Sequence, residues 1–188
     1  MARHKEFDRD TALDSAISIF REHGFEGTST GMLVKAMGIG RQSLYDTFGD
    51  KWQLYQSALQ RYSVAETMEH TDALKKGPRA IDGIRAVLDR VVESAGDACL
   101  GVNSICEFGR SKPELVKIQD TAAHVLRIRL SQAIEEARLE GNVSDDVNPD
   151  EAASFLIASI AGIRIAARGG SSREQLQSLG RMALRAIT

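Results

Sequence analysis

Apolar residues recur at intervals of three and four along most of the 188-residue chain, and strand-like alternation is scarce. This spacing is that of amphipathic helices, so the pattern predicts an all-α protein. Glycines, prolines and short polar stretches divide it into about nine helices. The predicted helices span residues 9–23, 41–48, 51–74, 99–110, 113–140, 149–168 and 173–187, with one more directly after residues 28–30 and another that has Pro78 in its first turn and ends before Gly96.

Residues 28–51 carry the most specific local pattern. Gly38 and Gly40 lie close together between two apolar-periodic segments, where a tight turn needs positive φ or close helix approach. Leu44 and Phe48, four residues apart, give the second segment an apolar face. This segment opens with three hydrogen-bonding side chains, Arg41, Gln42 and Ser43. The layout predicts a helix-turn-helix, whose second helix reads base edges with its N-terminal residues.

A longer fingerprint surrounds this turn, between about residues 16 and 55. It comprises Ala16, Phe20, Gly24, Phe25, Thr28, Ser29, Val34, Met37, Gly38, Ile39, Leu44, Tyr45, Phe48, Lys51 and Leu54. With these spacings the chain resembles the TetR/AcrR family of transcriptional regulators. Two positions depart from the family pattern: Thr47 stands where a histidine is common, and Gly31 lies inside the first helix of the motif.

The resemblance implies a helix-turn-helix DNA-binding domain over residues 1–52 and a helical ligand-binding and dimerisation domain over residues 53–188. In the family, helices four to seven enclose an effector pocket and the last two helices form a dimer interface. The chain is therefore expected to be a homodimeric, cytoplasmic repressor that binds a palindromic operator in double-stranded DNA. A small-molecule effector is expected to release it, and no cofactor or metal is expected.

Nine residues are DNA-binding candidates: Thr28, Ser29, Thr30, Arg41, Gln42, Ser43, Tyr45, Thr47 and Lys51. Arg41 can donate a bidentate pair to guanine, and Gln42 can pair with adenine. Tyr45 and Lys51 suit phosphates, because a lysine at a helix N-terminus adds its charge to the free N–H groups there. The alternative for the hydroxyl residues is helix capping, by one of residues 28–30 and by Ser43.

The charge balance restricts the kind of nucleic-acid binding that is expected. The formal net charge is −2, whereas general nucleic-acid coat proteins are usually basic overall. A sequence-specific dimer needs only a local basic surface, which a basic arm at residues 1–6, Arg41 and Lys51 can supply. No apolar run is long enough to span a bilayer and no signal-peptide core follows the N-terminus, so no membrane partner is expected.

The segment 97–109 contains both cysteines and resembles a glycine-cysteine-leucine-x-x-asparagine stretch found in a subset of the family, with Ala98 in place of the glycine. Some members of that subset sense oxidants or electrophiles through a cysteine, and Cys99 matches its position. Cys99 and Cys106 would lie about 10 Å apart on a continuous helix, too far for a disulfide. Acidic neighbours also disfavour a thiolate. Because Cys99 matches the motif position, redox or electrophile sensing is nevertheless kept as an alternative.

Other polar and large side chains in helices four to seven complete the effector-site candidates. The full set is Tyr62, Met68, Cys99, Asn103, Phe108, His124 and Arg127. The mostly apolar composition of these helices favours a largely hydrophobic effector.

The last two helices are expected to form the dimer interface. Small residues along 149–168 permit close helix approach, and apolar residues in both helices supply contact area. The predicted interface comprises Phe155, Leu156, Ser159, Ile160, Ile163, Leu176 and Leu179. The alternative is that both helices are ordinary core.

Other functional classes explain the sequence less well. The four histidines have no paired metal spacing, there is no glycine-rich phosphate loop and no CxxC, and no nucleophile has an identifiable base, so an enzyme is not expected. A helical protein–protein scaffold would explain an acidic chain with apolar helices. It would not explain why Arg41, Gln42 and Tyr45 fall where a DNA-reading helix places them.

Overall fold

The computed structural model describes residues 7–188, and this part of the chain is all-helical. Its helices are α1 (Arg9–His23), α2 (Thr30–Met37), α3 (Arg41–Phe48), α4 (Lys51–Ala73), α5 (Ala80–Glu93), α6 (Leu100–Phe108), α7 (Pro113–Leu139), α8 (Pro149–Arg168) and α9 (Arg173–Arg185). The predicted all-α fold of about nine helices is confirmed for these residues. The predicted basic arm at residues 1–6 lies outside them. Across residues 7–188, no helix combines the length and the apolar character that crossing a membrane requires.

The start of α5 differs from the prediction. Arg79 is its N-cap in extended conformation, and Pro78 therefore lies before the helix instead of in its first turn. The N–H of Ala80 donates to the carboxylate of Glu140 at 3.0 Å. A side chain at the end of α7 therefore satisfies the first amide of α5, which a sequence pattern around Pro78 could not indicate.

The first three helices form a compact unit around the predicted turn. Gly38 ends α2 in the left-handed region, with φ of 66° and ψ of 25°, a conformation that favours glycine. Phe20, Leu33 and Leu44, one from each helix, are fully buried against one another and against α4. This core fixes the orientation of α3, so its outer side presents a defined surface.

A second core is formed by α5, α7, α8 and α9. Large aliphatic side chains such as Ile84, Leu130, Ile134 and Leu156 are fully buried there. Full burial of one such side chain contributes roughly 2 kcal/mol to folding.

The 23-residue helix α4 belongs to both cores. It begins with a capping box, in which the Asp50 carboxylate accepts from Gln53 N–H at 2.8 Å and the Gln53 side chain accepts from Asp50 N–H at 3.3 Å. Its residues up to Tyr62 pack with the N-terminal core, whereas Ala73 packs with the second core. The domain division after residue 52 stays a prediction, and it falls in the first turn of this shared helix.

Candidate functional site

The exposed side of α3 carries the side chains expected to read DNA. Arg41 is its first residue, and Arg41, Gln42 and Tyr45 are all exposed. The residue before the helix, Gly40, provides no side-chain cap, so the alternative of Ser43 as the cap of α3 is not observed. Within residues 7–188, no N-cap side chain accepts from the first amides of α3, the helix that Arg41 opens.

Gln42 is held in place within α3. Its side-chain nitrogen donates to the Asp46 carboxylate at 2.8 Å, one helical turn away. The amide oxygen and the second N–H are not used by this bond, and those are the atoms with which glutamine pairs to adenine.

The hydroxyl residues before α2 have different surroundings. Ser29 is the N-cap of α2 and accepts from Met32 N–H at 3.2 Å. Thr28 is only 2% exposed, and its hydroxyl donates to the carbonyl of Gly24. The Thr28 hydroxyl thus closes the loop after α1 and is buried in this structure, and a DNA contact of Thr28 stays a prediction. Thr30 is partly exposed as the first residue of α2.

Lys51 and Thr47 border the same surface. Lys51 is the first residue of α4, and its ammonium lies 4.2 Å from the centroid of the Phe25 ring. This cation–π contact positions the lysine on the loop that precedes α2. Thr47 is partly buried in the last turn of α3.

Helix α6 is hydrogen-bonded to the loop after α1. The Glu107 carboxylate accepts from Phe25 N–H at 3.0 Å and from Glu26 N–H at 2.8 Å. These are charge-assisted bonds, which are stronger than bonds between neutral groups. One side chain of α6 therefore holds two successive backbone amides of the N-terminal unit.

The other end of α6 is bonded to α1 itself. Asn103 donates to the carbonyl of Arg21 at 2.9 Å, and the Arg21 guanidinium donates to the carbonyl of Ala98 at 2.6 Å. Arg21 also lies 3.9 Å from the Asp97 carboxylate and 5.6 Å from the centre of the Tyr62 ring. Asn103 of α6 and residues 97 and 98 of the preceding loop therefore connect this region to α1.

An aromatic cluster closes this junction. The ring centroids of Phe25 and Trp52 are 5.2 Å apart, those of Trp52 and Phe108 are 5.5 Å apart, and Tyr55 packs against all three rings. Burial raises the pKa of Tyr55 to about 12, so this phenol is neutral at physiological pH. Phe108, predicted for the effector site, instead belongs to this cluster, because the end of α6 turns towards α4.

A cavity of about 350 Å³ lies between the α5–α6 loop, α6 and the end of α8. It is lined by Ala95, Gly96, Asp97, Ala98, Cys99, Val102, Asn103, Cys106, Arg164, Ile165, Arg168 and Gly169. Two effector-site candidates, Cys99 and Asn103, are thus brought together. Cys99 is also the N-cap of α6, where its sulfur accepts from Val102 N–H at 3.5 Å, and both cysteines are free thiols.

The remaining effector-site candidates have other surroundings. Burial raises the pKa of Tyr62, as do the neighbouring Cys99 and Glu66, so its phenol is a neutral group beside the cavity. Met68 and His124 are exposed, and Arg127 lies 3.6 Å from the Asp150 carboxylate of α8. None of these last three lines the cavity, because the helical phase of α4 and α7 turns them away from it.

A buried ionic cluster adjoins the cavity. The Glu66 carboxylate accepts from Arg164 at 2.8 Å and from Arg90 at 2.9 Å, and His70 Nε2 lies 3.8 Å away. Burial alone would raise the pKa of Glu66, but Arg90 and Arg164 hold it below its usual value. Burial and the Arg90 charge lower the pKa of His70 to about 4. Glu66 is thus charged and His70 is neutral at pH 7.

An apolar stripe on α8 and α9 is open to solvent. It comprises Phe155 and Ile165 of α8 and Leu179 and Met182 of α9. Ser159 lies beside it and donates to the carbonyl of Phe155 at 2.9 Å. Four residues predicted for the interface are instead buried in the second core, namely Leu156, Ile160, Ile163 and Leu176. They face inwards because α8 has two apolar sides.

The comparisons with known proteins match both halves of this arrangement. Residues 12–58 match the family of bacterial regulatory proteins of the tetR type, and residues 79–182 match the tetracyclin repressor-like C-terminal domain. The chain is 32% identical over 186 residues to the uncharacterized HTH-type transcriptional regulator YezE of Bacillus subtilis, with 94% of each chain covered. This chain is a TetR-family transcriptional regulator.

Two further relatives add detail to the family assignment. The regulator is 30% identical to the HTH-type transcriptional repressor ComR of Escherichia coli, over 97% of its own length and 90% of that of ComR. It also resembles a cysteine mutant of the TetR-family regulator CifR solved with 26-bp double-strand operator DNA. That structure has 28% identity and a TM-score of 0.84, with 98% of this chain and 99% of CifR covered.

Several residues at the site of the regulator were missed by sequence reasoning. Glu107 and Arg21 act through backbone groups of distant segments, so no local pattern points to them. Arg164 did have a signal, since it is the only charged residue between positions 152 and 167. A lone charge inside an apolar helix requires a buried partner, and that partner is Glu66.

The ionic cluster predicts a specific dependence of stability on pH. His70 is neutral in the folded regulator down to a pKa of about 4, whereas in the unfolded chain it binds a proton below about 6.5. The contribution of neutral His70 to the free energy of unfolding is therefore complete above pH 6.5. It is lost as the pH falls towards 4, because the unfolded chain takes up the proton first. Between pH 7 and pH 5 the wild type should lose about 2 kcal/mol more free energy of unfolding than His70→Gln, measured by urea denaturation.

The matched control is His124→Gln, which removes an exposed histidine. This variant should lose as much stability on acidification as the wild type. Equal losses in the wild type and His70→Gln would contradict the neutral state of His70.

Proposed function

We propose that this regulator is a homodimeric repressor that binds a palindromic operator through α3 and is released by a small effector in the cavity beside α6. The observation that carries the ligand response is the position of α6. Val102 and Asn103 line the cavity, and Asn103 and Glu107 of the same helix hold α1 and the loop after it. Occupation of the cavity and the orientation of the DNA-binding helices thus depend on one short helix.

DNA recognition is proposed to centre on Arg41 and Gln42. Both are exposed in the first turn of α3, the part of a reading helix that contacts base edges. Tyr45 and Lys51 are proposed to bind the phosphates on either side, together with Ser29 and Thr30 at the N-terminus of α2. Ser43 and Thr47 are shorter and partly buried, and they would contact the DNA at the edge of this surface.

A palindromic operator requires two copies of α3 related by a two-fold axis. The exposed stripe of α8 and α9 supports such a dimer, because Phe155, Ile165, Leu179 and Met182 are large apolar side chains left open to solvent on these two helices. The Cβ of an alanine at Gly162 would meet no atom within 4 Å, which leaves room there for the close approach of a second helix.

The proposed release follows from the bonds of α6. An effector that separates α6 from α8 would shift Asn103 and Glu107, and with them Arg21 and the amides of Phe25 and Glu26. Such a shift changes the separation of the two α3 helices in the dimer. The effector then favours the state that does not fit successive major grooves. The repressor role is supported by the name of the relative ComR.

Selection from random duplex DNA tests the reading surface. The wild-type protein should enrich a palindrome, and Arg41→Ala should bind that sequence about 10- to 100-fold more weakly, because a bidentate arginine–guanine pair is lost. Arg129→Ala, at an exposed position on α7, is the matched control and should bind like the wild type. Enrichment of no sequence by the folded protein would favour a helical scaffold without DNA binding.

Sedimentation equilibrium tests the dimer. Leu179→Glu places a charge in the proposed apolar contact and should weaken dimerisation by about 30-fold or more. Leu139→Glu is the matched control, because Leu139 is a leucine with 79% exposure that lies at the end of α7, away from the stripe. A Leu179→Glu protein that dimerises like the wild type would place the interface elsewhere.

A substitution that fills the cavity tests the ligand response without a known effector. Val102→Trp should lower operator affinity by about tenfold, because the added ring occupies space between α6 and α8. Ile105→Trp is the control, on the same helix but exposed and outside the cavity lining, and should change affinity by no more than about twofold. In a Glu107→Ala background the effect of Val102→Trp should shrink. A folded Val102→Trp protein with unchanged operator affinity would contradict the response.

A further inference from the structure

We infer that the effector is a small organic anion, whose carboxylate binds Arg164 and Arg168 while its apolar body packs on the opposite wall of the cavity. This inference rests on the proposed ligand response and adds the chemical class of the ligand. Both arginines line the cavity, and they lie one helical turn apart on α8. At this spacing two side chains project from the same face of a helix.

Arg164 has donors available for a ligand. It is only 6% exposed, and within residues 7–188 its one hydrogen bond runs from Nη2 to Glu66 at 2.8 Å. A guanidinium has five N–H donors. Within residues 7–188, the side-chain polar atoms that are fully buried and have no hydrogen-bond partner are Tyr55 Oη and Asn142 Oδ1. The remaining nitrogens of Arg164 are not among them, so these nitrogens are not fully buried. Because Arg164 lines the cavity, these nitrogens are the donors that it can offer to a ligand there.

The charge of Arg164 is only partly compensated inside the protein. Glu66 is shared with Arg90 at 2.9 Å, so one carboxylate serves two guanidinium groups. Glu69 lies 3.7 Å from Arg90 but is largely exposed. His70 adds no negative charge to the cluster. A buried charge without full pairing is costly, and an anion on the cavity side of Arg164 would supply the missing pairing.

Arg168 adds a second charge and a connection to α1. Among residues 7–188 it has no salt-bridge partner, and it lines both the cavity and a neighbouring cleft of about 310 Å³. That cleft is also lined by Ser18, Arg21 and Glu22 of α1. An anion beside Arg164 would attract Arg168 towards the cavity and away from the cleft beside α1. Binding would then alter the electrostatics at α1 as well as the position of α6.

The rest of the cavity limits the shape of the ligand. The acidic residue in the lining, Asp97, lies 3.9 Å from Arg21 and is partly neutralised by it. Ala95 and Val102, which are not on α8, provide an apolar wall. A monocarboxylate with one aromatic ring or a short alkyl chain fits both parts. The expectation of a largely hydrophobic effector thus describes one wall of the site, and the arginines add a requirement for negative charge.

Matched pairs of ligands test the charge requirement. Benzoate, phenylacetate and hexanoate are each compared with the corresponding primary amide, which has nearly the same shape and no charge. Isothermal titration calorimetry on the full chain without DNA should show carboxylates binding at least about tenfold more tightly than amides. Arg168→Gln should weaken carboxylate binding about tenfold, whereas Arg173→Gln, at an exposed position of α9, should change it by no more than about twofold.

A second variant removes the buried charge without leaving a lone carboxylate. Because Arg164→Gln alone would take one partner from Glu66, Glu66→Gln is combined with it, and circular dichroism verifies the fold. The double variant should bind carboxylates about tenfold more weakly than the wild type and amides about equally well, and the preference for carboxylates that remains is the contribution of Arg168. The inference is overturned by wild-type protein that binds both members of each pair equally, by carboxylate binding that is unaffected in Arg168→Gln, or by no carboxylate binding up to about 10 mM.

Operator binding in the presence of the same ligands separates this inference from the proposed function. Carboxylates that bind but leave operator affinity unchanged would support the anion site and contradict the ligand response. Amides that bind as tightly as carboxylates and release the operator would support the response and overturn the anion site.

Discussion

The carboxylate of Glu66 connects three helices at the centre of the C-terminal half. It lies on α4 and is bonded to Arg90 of α5 and Arg164 of α8. In a buried, low-dielectric position such bonds are strong, and loss of one partner typically costs about 3–5 kcal/mol. These helices therefore keep a fixed mutual arrangement. Because α4 continues without interruption for roughly 20 Å from Glu66 to its N-terminus beside α3, that arrangement also determines where α3 lies.

Two links of different character thus join the halves of the molecule. The link through α4 is a continuous helix with apolar side chains in both cores. The link through α6 consists of a few polar contacts made by Asn103 and Glu107, closed by the aromatic cluster around Trp52. Polar contacts depend steeply on distance and angle, so they break or re-form with small displacements. A close-packed apolar core resists the same displacement, so the polar contacts of α6 are the first to change.

A structural feature could be predicted from the sequence where residues close together in the chain determine it. The ends of α1 and α3 and the turn at Gly38 follow from caps, glycine and spacing, which act over a few residues. Phe108, Met68 and His124 are plausible effector-site residues by sequence, but the rotation of each helix about its axis decides which side chain faces the cavity. Four of the seven interface residues are buried for a related reason, since α8 is apolar on two sides. Only Arg164 had a local signal that could have indicated its role.

The residue before α3 has an energetic consequence for the unbound protein. In the part of the chain that the structure describes, Gly40 gives the first N–H groups of α3 no side-chain cap, and this helix is only eight residues long, with no acidic residue in its first turn. Short helices without caps fray readily, so the N-terminal turn of α3 is stabilised only weakly before DNA arrives. A serine or aspartate at this position would hold the turn more firmly but would occupy the amides and, for aspartate, repel phosphate. With glycine at this position, the N-terminal turn of α3 is less ordered in the free protein, and its amides are not occupied by a side chain of the residue before the helix.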